Sequence, residues 1–214
     1  MDLVDKDGYL KIPLFHGTSS LFINSIVKNG LGSPITKSQY SIDLFSKLCD
    51  AHNNSQWQSM WWRNNSFIWE SMLNHKVNRY VNFRYGGTYL SPSKENASSY
   101  ALNNSYGSEL LTSIIDSIQA LETFNLDVSH QLIPKNHFIR RIMQQQHRPV
   151  LISLKKMKVS DLMTEKNLSV TELLNQMKKN AEKYPSLKDA LWNQSNFHCL
   201  SIIPVSYNNF EYLT

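Results

Sequence analysis

The chain has 214 residues, 41% of them hydrophobic and 18% charged, a balance that allows one packed core and excludes global disorder. No stretch reaches about 18 consecutive apolar residues, so no membrane span is expected. The start, MDLVDKDGYL, carries acidic residues where a secretory leader carries basic ones, and the reading is a cytoplasmic protein forming one domain over residues 1–214. The net charge of +5 is compatible with a polyanionic partner, although solubility explains it equally well. Cys49 and Cys199 match no metal-ligand or CxxC spacing, so buried free thiols and no metal site are expected.

In chain order, residues 10–16 (LKIPLFH) read as a short strand delivering His16 to its end. Residues 19–29 read as a helix that Ser19 or Ser20 can cap, with Leu21, Ile23, Ile26 and Val27 on one face and Gly30 as its stop. Residues 38–79 read as two helices split by the polar turn AHNNSQ. Their aromatic residues Trp57, Trp61, Trp62, Phe67 and Trp69 have helical spacing, which favours core packing over a base-stacking platform. GGTYLS reads as a strand, and Pro92 and Ser93 open a helix after it. Residues 108–122 form an amphipathic helix, residues 125–149 are mostly loop with a short helix near 138–146, and PVLISLKKMKV is a buried strand. Residues 169–192 are helical with a break at Pro185, and FHCLSIIPV is the final strand. Helices and strands interleave without regular βαβ alternation, and neither GxGxxG nor a Walker sequence is present, so the fold class is α+β without a Rossmann nucleotide site.

Two motifs carry chemistry. In LFHGTSSLFINSIVKNGL, His16, Gly17 and Thr18 are followed by Ile26 and by the pair Gly30–Leu31. In GGTYLSPSKENASSYA, Tyr89 ends a strand and Tyr100 lies eleven residues on, in a helix. Two tyrosine faces suit a flat cationic heteroaromatic ring such as nicotinamide, at about 0.5–2 kcal/mol per contact. A glycine beside that ring lets backbone N–H and C=O reach a carboxamide that a side chain would block.

These residues, in this order, resemble the ADP-ribosyltransferase superfamily, in its histidine–tyrosine–glutamate branch. The resemblance implies a split, two-sheet α+β cleft that takes NAD as substrate. It implies that Tyr89 and Tyr100 sandwich the nicotinamide, and by its chemistry His16 is expected to donate to the adenosine-side ribose hydroxyl with Thr18 in support. It covers residues 10–31, 85–101 and 148–214; the segments 38–80 and 108–147 have no counterpart and are expected to shape the acceptor site. The family's third residue, a glutamate opening the last core strand, is missing. Alignment of NFHCLSIIPV puts His198 there, ahead of Glu211 in NNFEYLT, so His16, Tyr89 and His198 form the expected catalytic set.

The implied function is single transfer of ADP-ribose from NAD to a macromolecule, by a toxin or defence effector with a possible antitoxin or immunity partner. RNA or DNA precedes protein as acceptor, on the basic residues Arg140, Arg141, Arg148, Lys155, Lys156 and Lys158. The alternatives are a non-catalytic module binding NAD or ADP-ribose, and an NAD glycohydrolase.

Overall fold

The strands are short and pair only across long sequence separations. In the computed structural model, which describes residues 2–33, 42–54, 60–74, 87–123, 126–165 and 168–214, they form two antiparallel three-stranded sheets. The first has the order β1 (Leu14–Ser19), β3 (Pro149–Leu154), β6 (Phe210–Tyr212). The second has the order β2 (Thr88–Leu90), β5 (Phe197–Cys199), β4 (Leu162–Thr164). Mixed helices and small antiparallel sheets make the chain α+β. No helix among the described residues is long and apolar enough to cross a membrane, and Cys49 and Cys199 are free and buried.

Contacts divide the chain into two compact units: residues 1–36, 87–107 and 147–214, and residues 37–86 and 108–146. The first unit holds both sheets together with α1 (Ile23–Asn29), α4 (Lys94–Asn103), α8 (Val170–Lys183) and α9 (Lys188–Trp192). Its central strand β3 is a run of Val150, Leu151 and Ile152 with no exposed surface, as expected of a strand covered on both faces. It ends before Lys156, whose φ of 58° cannot continue a strand. Ser93 caps α4 by accepting the Asn96 N–H, and α8 opens with a capping box between Ser169 and Glu172.

The second unit holds α2 (Ile42–Asn53), α3 (Met60–Leu73), α5 (Glu109–Glu122), α6 (Leu126–Leu132) and α7 (Phe138–Gln144). Helix α5 lies within a residue of its expected bounds, capped by Ser108, and buries Leu110, Leu111, Ile114, Ile115, Ile118 and Leu121 at helical spacing. Trp62 and Trp69 are core residues beside Phe45, whereas Phe67 is 68% exposed. Trp57 and the Trp61 side chain lie outside the described residues.

Several expectations need correction. Strand β1 runs from Leu14 to Ser19, not from 10 to 16, so His16 lies inside it. Pro13 has no N–H to give a ladder, Leu10 bonds instead to Met157, and the small residues after His16 extend the strand because β3 pairs with them. Ser19 does not cap the following helix: its hydroxyl is buried without a partner, and the Ser20 hydroxyl accepts from the Arg148 N–H. That helix starts as a 3-10 turn over Ser20–Phe22. FHCLSIIPV yields only three strand residues and is not the last strand, which is Phe210–Tyr212. Helix α6 and strand β4 carry too short a periodic pattern to have been expected.

Candidate functional site

The two sheets meet at one point. Phe15 and Ser91 exchange main-chain hydrogen bonds of 2.7 and 2.8 Å, joining β1 to the end of β2. In a continuous antiparallel ladder the next bonded pair would be Gly17 with Tyr89. That pair does not form. The His16 Nδ1–H donates instead to the Tyr89 carbonyl at 2.8 Å, and the strands part there.

The alternation of bonded and non-bonded pairs with β3 then turns the Gly17 N–H and C=O toward the opening, where they have no main-chain partner among the described residues. A carbonyl only accepts, so Nδ1 carries the proton and Nε2 is the acceptor of the neutral ring. The neutral ring therefore offers an acceptor at Nε2, not the donor expected of it.

Directly opposed residues share a face, which puts Phe15, Gly17, Ser91 and Tyr89 on one side of the junction. Helix α4 covers that side. A Cβ built on Gly17 would lie 2.2 Å from the Ala97 carbonyl oxygen and 2.9 Å from the Ala101 nitrogen. Glycine is thus required at 17 by the approach of α4, a reason separate from access to a carboxamide. Thr18 follows His16 by two residues and is buried.

Tyr89 and His198 are register partners across β2 and β5, and their rings stack with centroids 5.3 Å apart and planes inclined by 29°. Gly87 makes room for this pair, since a Cβ there would stand 2.8 Å from the His198 Nε2 and 3.0 Å from the Tyr89 Cε2. His16 thus meets Tyr89 at its main chain, and His198 meets it at its ring. Glu211 is not with them. It lies on the edge strand β6, opposite Leu151, half-exposed and paired with Lys94 at 2.8 Å.

Tyr100 is half-buried on α4, one turn after Asn96 and so on the same helix face. Asn96 sits over the continuation of the second sheet, and its amide nitrogen approaches the Ser91 Oγ, the Asn193 carbonyl and the Asn196 Oδ1 at 3.2, 3.2 and 3.3 Å. Ser91 follows Tyr89 by two residues, and Asn196 precedes His198 by two. Helix α4 follows β2 after a three-residue turn and packs on β1 and β3.

Sequence reasoning missed this polar row. Its signal is a period of two counted back from His198 and on from Tyr89, which becomes readable only when the pairing of β2 with β5 is known.

Among the basic residues, Arg140 is committed elsewhere. Its guanidinium forms an ion pair with Glu122 and donates to the Ser129 Oγ at 2.8 Å and the Ile133 carbonyl at 3.2 Å. It leaves the proposed patch because these acceptors hold it in the second unit. Arg141 belongs to that unit too, whereas Arg148, Lys155, Lys156 and Lys158 belong to the first. No group of three or more His, Cys, Asp or Glu residues that could hold a metal occurs among the described residues.

No protein-family model matches the chain, nor does any curated protein or solved structure.

Proposed function

We propose that the chain is an NAD-dependent ADP-ribosyltransferase that places a single ADP-ribose on a macromolecular acceptor. The observation that carries this reading is the junction of β1 and β2, where the His16 imidazole takes the Tyr89 carbonyl and the Gly17 N–H and C=O have no main-chain partner among the described residues. An amide group and a flat cationic ring, held side by side as in nicotinamide, meet both features at once. Further support comes from the division of the chain. The segments that the family resemblance covers fall in the first unit apart from residues 85 and 86, and the segments it leaves out, 38–80 and 108–147, make up nearly all of the second.

The chemistry asked of the site is limited. The bond between ribose C1′ and nicotinamide breaks, its electron pair goes to the nicotinamide ring, and a lone pair of the acceptor forms the new bond to C1′ while the acceptor's proton is released. The intervening state resembles an oxocarbenium ion. Tyr89 and Tyr100 bind and orient the ring that departs, Gly17 fixes its carboxamide, and Nε2 of His16 accepts from a ribose hydroxyl. His198 occupies the third position against the Tyr89 ring, where a neutral imidazole bonds a hydroxyl without adding negative charge. A role as toxin or defence effector, with RNA or DNA ahead of protein as acceptor, belongs to the same proposal.

The test is incubation of the protein with NAD labelled on its adenine, together with RNA, DNA and cell protein. Label on a macromolecule and release of nicotinamide are expected. Free ADP-ribose with no labelled acceptor would make the chain a glycohydrolase, and binding without nicotinamide release would make it a recognition module.

A further inference from the structure

We infer that Glu165 supplies the negative charge that the third position lacks, an assignment that rests on the ADP-ribosyltransferase reading of this site. Strand β4 is the outer neighbour of β5, with Met163 opposite His198 and Thr164 opposite Phe197. One row therefore holds Tyr89, His198 and Met163 on a single face. Two residues on from this row, just beyond the ends of the three strands, come Ser91, Asn196 and Glu165.

The side chains of this second row are linked. Asn96 bonds to both Ser91 and Asn196, and the Asn196 amide donates to the Glu165 Oε2 at 3.4 Å. Glu165 is half-buried, and diagonal neighbours in antiparallel sheets stand about 7–8 Å apart at the backbone. The glutamate arm therefore brings a carboxylate to the face shared by Tyr89 and His198. Glu211 cannot do this, because it lies in the first sheet and is engaged by Lys94. Asp161 also precedes Met163 by two residues, but it sits in a 3-10 turn where alternation of faces fails, and its Oδ1 accepts from its neighbour Ser160.

A fixed anion beside ribose C1′ favours the cationic state over bound NAD, so its removal lowers turnover and not binding. Cation formation is common to transfer onto an acceptor and to hydrolysis by water, so both fall together.

The experiment compares Glu165→Gln and Asp161→Asn with the unaltered protein, reading NAD binding, thermal midpoint, label transfer and release of free ADP-ribose. Glutamine keeps the arm and the acceptor for Asn196 but not the charge. For Glu165→Gln we expect transfer and hydrolysis both to fall about 100-fold, with NAD affinity and midpoint unchanged, and Asp161→Asn to behave as the unaltered protein.

Full turnover in Glu165→Gln, a fall in transfer alone, or loss of turnover in Asp161→Asn instead would each overturn the assignment while leaving the ADP-ribosyltransferase reading in place. An unaltered protein that neither transfers ADP-ribose nor hydrolyses NAD would remove that reading and this inference with it.

Discussion

His16 has two tasks at once. Its Nδ1–H takes the Tyr89 carbonyl in place of a missing strand hydrogen bond, and in the proposed reaction its Nε2 accepts from the ribose. Substitution separates them. His16→Ala leaves the Tyr89 carbonyl without its donor, a loss of about 1 kcal/mol at a half-buried site that water partly repairs. It also removes the acceptor for the ribose. His16→Asn restores an N–H within reach of the carbonyl but offers nothing where Nε2 stood. Thermal midpoints should therefore recover in His16→Asn relative to His16→Ala, while kcat/KM for NAD stays at least about 100-fold down in both. If asparagine restores turnover along with stability, His16 is only a strut between the sheets.

The helices of the second unit enclose a titratable side chain. His52 on α2 has no exposed surface. It stacks on Trp62 of α3 with centroids 4.9 Å apart and planes 5° from parallel, and its Nε2 lies 3.1 Å from both the carbonyl and the Oγ of Ser117 on α5. Burial pushes the imidazole pKa below its ordinary value, although the bond to the Ser117 carbonyl works the other way. The folded unit therefore prefers the neutral ring. Its contribution is present in full above about 6.5, the unfolded value, and is lost as pH falls from there through the depressed native value.

Glu109 and Asp116 on α5 carry the opposite sign. Burial raises both, so the folded unit binds their protons more readily and gains stability as pH falls toward their unfolded values. Between pH 7.5 and 5.5 the midpoint should drop through His52, and His52→Phe, which keeps a ring on Trp62, should flatten or reverse that slope. An unchanged slope in His52→Phe would assign the acid sensitivity to another group.

At the scale of the whole molecule, charge has less to work with than the composition suggests. Arg140 is spent on Glu122, and the remaining basic residues named for acceptor binding are divided between the two units. Counterion release still makes the test sharp. If RNA or DNA is the acceptor, its affinity should fall linearly on a log–log plot as salt rises from about 50 to 200 mM. Lys155→Ala should reduce the slope by about one, and Arg140→Ala should lower the thermal midpoint without altering the slope. A flat response with label confined to protein would move the acceptor class to protein.

What the sequence determined by itself was local: helices with a capping residue and a long apolar stripe, such as Glu109–Glu122, the turn after Asn29 at Gly30, the buried run of β3, and the two motifs holding His16, Gly17, Tyr89 and Tyr100. Capping and periodicity act within a few residues, so they can be read directly from the order of side chains. Tertiary structure decided the rest. Strands β2, β4 and β5 have three residues each, too few for any periodic signal, and their meaning lies in register. Only the pairing of β2 with β5 sets His198 against Tyr89, and only the pairing of β5 with β4 sets Met163 against His198, two residues before Glu165. The opening at Gly17 depends on a ladder bond that is absent between strands separated by about seventy residues, and no local pattern records a bond that does not form.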